Sequence, residues 1–157
     1  MPTEIERKYL IDLEKWQLVD KPTGHFYRQG YLSSDQNKVI RVRLTDKSGF
    51  LTIKGATKGM SRPEYEYAIP REEAKELLDS FAESELTKVR YKIKFGQYIW
   101  EVDVFLGENE GLIVAEIELL DEDEHFLMPD WITREVTDDN RYYNSNLTIN
   151  PYQNWKD

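Results

Sequence analysis

The chain has 157 residues and a net charge of -9, with 39% hydrophobic and 32% charged residues. That is the size of one ordinary domain with enough apolar material for a core, so residues 1–157 are expected to form a single domain. Cysteine is absent and there are two histidines, His25 and His125, which excludes disulfides and Cys-ligated metals and argues against a multi-histidine zinc site. The acidic balance argues against nucleic acid as a partner, since that needs a basic footprint, but leaves room for a small anion on a local Arg/Lys cluster; with no apolar leader and no membrane-spanning apolar run, a cytoplasmic protein is expected.

The first stretch, Thr3 to Leu10, reads as a strand. Glu4, Glu6 and Lys8 occupy every second position, so in an extended chain they leave the same face. Two carboxylates suit a hard cation and an ammonium suits an anion; a metal-bound polyphosphate supplies both. Asp12 to Val19 reads as a short helix capped by Asp12, with Leu13 and Trp16 on one side. His25 to Ser33 is a strand in which Gly30 suggests a bulge or bend. Lys38 to Thr45 is a strand with Ile40, Val42 and Leu44 on one face and Arg41 and Arg43 on the other. A hairpin turn over Asp46 to Gly49 leads into Phe50 to Gly55, which carries Lys54.

Arg62 to Ile69 sets Glu64 and Glu66 against Tyr65 and Tyr67. Pro70 and the early carboxylates then open a helix to about Ala82, with Ala74, Leu77, Leu78 and Phe81 as its stripe. Three strands follow. Thr87 to Phe95 places Lys88, Arg90 and Lys92 on one face; Tyr98 to Leu106 does the same with Glu101 and Asp103, and Leu112 to Leu120 with Glu116 and Glu118. Asp121 to Glu124 is an acidic run without a site. Thr133 to Thr137 is short and extended. Asp138 to Leu147 reads as a last helix capped by Asp138 or Thr137, and the tail through Trp155 as loose.

About eight strands thus alternate, antiparallel by their short connections, nearly all with one charged and one apolar face. If the sheet closes, the helices cover the outside and the charges point inward. A barrel of about eight strands has room for side chains or one small ligand. A lumen of both signs is costly unless its charges pair or bind something, and a polyanion bridged by metal would do so. The alternative is a flat sheet with a solvated charged face, whose ion pairs would be worth little.

Glu4-Ile5-Glu6-Arg7-Lys8 resembles the ExExK signature of the CYTH superfamily, the triphosphate tunnel metalloenzymes. The similarity continues in order through Gln29-Gly30-Tyr31-Leu32, Arg41-Val42-Arg43, Leu51-Thr52-Ile53-Lys54, Glu64-Tyr65-Glu66, Lys88-Val89-Arg90-Tyr91, Glu101-Val102-Asp103 and Glu116-Ile117-Glu118, and then Arg134 to Thr137 and Arg141 to Asn144. ExExK alone is a weak signal; the ordered set is a strong one.

The resemblance implies an α+β fold: an eight-stranded antiparallel β-barrel, or tunnel, with a charged interior and helices outside. It implies Mg²⁺ or Mn²⁺ as cofactor and a small-molecule triphosphate as substrate, and it admits a homodimer. Carried over by position, Lys8, Arg41, Arg43, Lys54, Lys88, Arg90 and Arg134 would hold phosphate oxygens. Glu4, Glu6, Asp103, Glu116 and Glu118 would hold metal, and Lys8, Glu6 and Glu66 would serve the attacking water. The implied activity is hydrolysis of inorganic triphosphate. Within the same resemblance stand a class IV adenylate cyclase and a thiamine triphosphatase; outside catalysis stands a polyphosphate-binding module.

Overall fold

A computed structural model describes residues 2–155. Its strands are β1 (Thr3–Ile11), β2 (His25–Asp35), β3 (Lys38–Thr45), β4 (Gly49–Lys54), β5 (Ser61–Ile69), β6 (Ser84–Phe95), β7 (Tyr98–Phe105), β8 (Ile113–Glu118) and β9 (Ile132–Glu135). Three helices accompany them: α1 (Leu13–Leu18), α2 (Arg71–Phe81) and α3 (Asn144–Ile149). All pairings between strands are antiparallel, in the order β5-β4-β3-β2-β6-β7-β8-β1.

The first half of β1 then pairs with β5, through Thr3 with Pro63, Glu4 with Arg62 and Ile5 with Ser61. This closes the eight strands into a barrel and removes the free edges. The second half of β1 carries β9, which lies outside the ring. Among the described residues no helix is long and apolar enough to cross a membrane.

The period of two puts one side chain in and the next out. Outward residues on β1, β6, β7 and β8, among them Tyr9, Ile93, Trp100 and Ile117, pack against Trp16 of α1 and Trp131. The rings of Trp16, Trp100 and Trp131 meet edge to face at about 6 Å, the favoured aromatic geometry. Asp12 accepts from the Lys15 amide and so starts α1. Across the barrel, Ala74 and Leu78 of α2 cover Val42. Gly30 lies under this helix, where a Cβ would come within 2.8 Å of Leu78. It is therefore a close-approach glycine, and the register shift of β2 falls one step later, between Tyr31 and Ser33.

The inward faces are not charged throughout. Leu86, Phe105, Val114 and Leu10 have the parity of the charged positions on their strands, yet they join Leu112, Val136, Tyr142 and Leu147 in a second cluster. One end of the barrel is thus filled with apolar side chains. The segment that covers this end corrects the expected last helix. A 3-10 turn over Asn140–Tyr142 is capped by Asp139, and α3 follows as a separate helix. The tail is packed: Trp155 stacks edgewise on Tyr142 and Tyr152, and its indole N–H donates to the Asn150 carbonyl at 3.0 Å.

Candidate active site

The open part of the lumen is a cavity of about 310 Å³. Glu4, Glu6 and Lys8 of β1 line it, as do Arg41 and Arg43 of β3, Lys54 of β4 and Glu66 of β5. Arg90 of β6 and Glu116 and Glu118 of β8 complete the set of expected residues there. Tyr27 and Tyr31 of β2, and Tyr143 and Asn144 from the covering segment, line it too.

Most of these charges are paired. Lys54 Nζ donates to both Glu4 oxygens at 2.9 and 3.1 Å and lies 3.4 Å from Glu64. Lys8 sits 3.7 Å from Glu116 and 3.9 Å from Glu6. Burial works against the Lys8 charge, yet Glu116, Glu6 and Glu4 outweigh it and hold the ammonium above its ordinary pKa. Lys8 therefore stays a cation rather than a base. Arg41 donates to Thr52 at 3.2 Å, Thr52 donates to Glu66 at 3.2 Å, and Arg41 meets Glu66 directly at 3.6 Å.

Lys88 and Asp103 lie between the charged lumen and the apolar filling, and both are 0% exposed. Lys88 Nζ donates to Asp103 Oδ2 at 2.7 Å and to Asn144 at 3.3 Å. Arg90 donates to the same carboxylate through Nε and Nη2, at 2.7 and 2.9 Å. Burial opposes the ionised Asp103, but Arg90 and Lys88 overcome it and hold the acid well below the usual carboxylate range. Burial pulls Lys88 down to about 7. With Glu101 at 3.2 Å and Glu116 at 3.6 Å, Arg90 is ringed by three carboxylates. Lys88 and Arg90 take three of the roughly four lone-pair sites of Asp103. That placement does not suit the metal-ligand role expected of Asp103, nor a direct phosphate contact for Lys88.

Arg43 differs. Its Nε donates to Gln29 at 3.2 Å, and among the described residues no carboxylate forms an ion pair with it. Burial, Arg41 and Arg90 together push it down to about 10, still a full cation near neutrality. Arg41 keeps a buried Nε without a partner. A buried donor left unmatched is costly, and an anion's oxygen would satisfy it.

The acidic counterpart is on β1 and β8. Glu6 faces Glu118 across the ladder, and Lys8 faces Glu116. Like charges directly opposite repel. Burial, Glu116 and Glu4 push Glu6 up to about 7; burial, Glu4, Glu64 and Glu6 push Glu118 to about 7. Among the described residues no three acidic or histidine side chains are already gathered as a ligand set. The donors nevertheless fit a hard divalent cation: all are carboxylate oxygens, and this pair has charge to spare.

The CYTH domain profile matches residues 2–148. The chain belongs to the CYTH family. It is 51% identical to an inorganic triphosphatase of Acetivibrio thermocellus, over 100% of both chains. It is 35% identical to an inorganic triphosphatase of Nitrosomonas europaea, over 94% of this chain and 97% of that one. The crystal structure of the inorganic triphosphatase NE1496 superposes with a TM-score of 0.65 at 33% identity, covering 93% of this chain and 97% of the other.

For this CYTH chain the fold brings together every expected site residue but three. Lys88 and Asp103 are buried below the lumen. Arg134 lies exposed in a shallow outer groove with Asp139 and Arg141, because β9 pairs outside the ring. The sequence reading missed Tyr27, Gln29, Tyr31, Thr52 and Tyr143. For the β2 residues the signal existed: Tyr27, Gln29 and Tyr31 alternate, and register sets Tyr31 opposite Arg41 and Gln29 opposite Arg43. For Tyr143 none did, since it reaches the lumen from the covering segment.

Proposed function

We propose that this CYTH tunnel is a divalent-metal-dependent triphosphatase acting on inorganic triphosphate. One observation carries the reading: β3 offers an unmatched Arg41 Nε and an Arg43 held by a neutral amide, in a lumen shared with Glu6 and Glu118, two carboxylates set opposite each other on β1 and β8. A polyanion answers the first and a hard cation the second. The relatives named as inorganic triphosphatases support the same substrate.

In this reading Arg43, Arg41, Lys8 and Lys54 hold phosphate oxygens. Glu4, Glu6, Glu116 and Glu118 would hold Mg²⁺ or Mn²⁺, which would supply positive charge against the transferring phosphoryl group. The arginines' planar forks fix the chain's orientation. Glu66 and Glu6 are the candidates to orient the attacking water and accept its proton. Water attacks a terminal phosphorus, the bond to the bridging oxygen breaks, and pyrophosphate and phosphate leave. One domain working as this unit in the cytoplasm, alone or as a homodimer, belongs to the same proposal.

The test is phosphate release from inorganic triphosphate, ATP and thiamine triphosphate with Mg²⁺ or Mn²⁺ and with a chelator. Fast, metal-dependent release from inorganic triphosphate is expected. Cyclic AMP from ATP with little orthophosphate would replace the reading with a cyclase, and tight binding without turnover with a binding module.

A further inference from the structure

Gln29 is 0% exposed and faces inward from β2 between Tyr27 and Tyr31. Its carboxamide bridges two lumen residues. Oε1 accepts from Arg43 Nε at 3.2 Å, and Nε2 donates to the Tyr31 hydroxyl at 3.3 Å. The direction of the amide is fixed by chemistry, because a guanidinium has donors only and must be met by the oxygen. Nε2 then has to face Tyr31, whose oxygen accepts. The Tyr31 proton is left to point elsewhere, and Tyr31 borders the lumen.

The contrast with Arg90 gives this bridge its meaning. Arg90 is held by the Asp103 carboxylate through two bonds, which fixes the guanidinium and cancels its charge. Arg43 is fixed at the same Nε atom by a neutral amide. The fork is oriented and the charge kept. A glutamate at position 29 has nearly the same shape but would neutralise Arg43 and, as an acceptor on both oxygens, turn the Tyr31 proton away from the lumen.

We propose that Gln29 is a positioning residue of the triphosphate site: it orients Arg43 and Tyr31 so that both offer donors to a bound phosphate, while leaving Arg43 its charge. The inference rests on the triphosphatase reading. Gln29 itself touches no substrate.

The experiment compares wild type with Gln29→Glu and Gln29→Met. Triphosphate affinity is measured by calorimetry on chelator-treated protein, KM and kcat with Mg²⁺, and folding by thermal unfolding. Gln29→Glu is expected to keep the fold and to raise Kd and KM for inorganic triphosphate roughly ten- to a hundredfold, with a much smaller change in kcat. Gln29→Met keeps the volume and adds no charge, so its rise is smaller, about three- to tenfold. In an Arg43→Met background the further effect of Gln29→Glu should shrink, since the Arg43 route has gone and only the part carried through Tyr31 is left.

A Gln29→Glu protein that folds and binds triphosphate within about twofold of wild type overturns the proposal. An undiminished effect in the Arg43→Met background also overturns it. Should Gln29→Glu fail to fold, Gln29→Met decides: an unchanged KM overturns, a raised KM with kcat kept supports. Triphosphate hydrolysis by wild type that is matched by both Gln29 variants sinks this inference alone. A wild type that neither binds nor hydrolyses it sinks the triphosphatase reading and this inference with it.

Discussion

Two adjoining parts of the barrel wall, built from the same kinds of side chain, use charge in opposite ways. Between β6 and β7, Arg90 stands opposite Asp103 and Lys92 opposite Glu101. Between β1 and β8, Glu6 stands opposite Glu118. At Arg90 and Asp103 register cancels charge, and it does so beside the apolar filling, where an unpaired ion would be most costly. In the second pair of strands Lys8 meets Glu116, but at Glu6 and Glu118 register concentrates charge, and it does so in the open lumen. A charged residue facing inward is thus part of the wall or part of the site according to what the neighbouring strand sets across from it. The two parts should break differently.

The largest effect is expected in the cancelled pair. Asp103→Asn removes the counter-charge of both Lys88 and Arg90 while both remain buried. Breaking a buried pair by taking away one partner costs about 3–5 kcal/mol. Urea unfolding of the metal-free protein should show that loss. A loss below about 1 kcal/mol, with triphosphatase activity falling only through metal affinity, would return Asp103 to the set of metal ligands.

The concentrated pair should respond with the opposite sign. Glu6 and Glu118 titrate near 7 when folded, against an ordinary value of 4.5. Between those limits the folded chain binds more protons than the unfolded one. Their contribution to stability therefore falls as pH rises from about 4.5 to 7, and the fall is complete above 7. Asp103 and Glu116, held below their ordinary values, contribute stability that is present above about pH 4 and lost as acid protonates them. Glu6→Gln with Glu118→Gln should remove the decline between 4.5 and 7, leaving chelator-treated protein more stable at pH 8 by roughly 1 kcal/mol, a modest sum because Glu118 is open to water. Thermal unfolding across pH reads this directly. A double variant less stable than wild type at pH 8 would show that the two carboxylates are compensated in a way their register does not reveal.

The barrel was legible in the sequence because its signal is local. Alternation along Lys38 to Thr45, or along Tyr98 to Phe105, sorts side chains within one strand. What each inward charge meets is not local. Arg90 finds Asp103 through a hairpin, but Glu4 finds Lys54 across fifty positions of chain. Parity also misleads where the lumen changes character. Phe105 and Val114 continue the inward faces of Asp103 and Glu116, and Leu86 continues that of Lys88 one residue before the expected strand start at Thr87, so the apolar end is hidden beside charged positions. The site residues on β2 are uncharged, so charge alternation gives no sign of Gln29 although its place in the strand is fixed.

Arg134 marks the other limit of such reading, and the smallest expected effect. Motif order places it beside Val136 and Thr137 as one more phosphate contact. The strand it occupies, however, pairs only with the far half of β1, after β5 has taken the near half and closed the ring. A strand outside a closed barrel has no lumen face, and Thr133, Arg134 and Glu135 are all exposed. Glu135 is engaged with Arg7, at 2.6 and 2.9 Å, and the groove beside it holds Asp139 bound to Arg141. Arg134→Ala should therefore leave KM for inorganic triphosphate and kcat within about twofold of wild type and stability within about 0.5 kcal/mol, as for other surface positions. A tenfold rise in KM from this substitution would mean that the outer groove and the lumen act on the same substrate, and that closure of the ring does not bound the site.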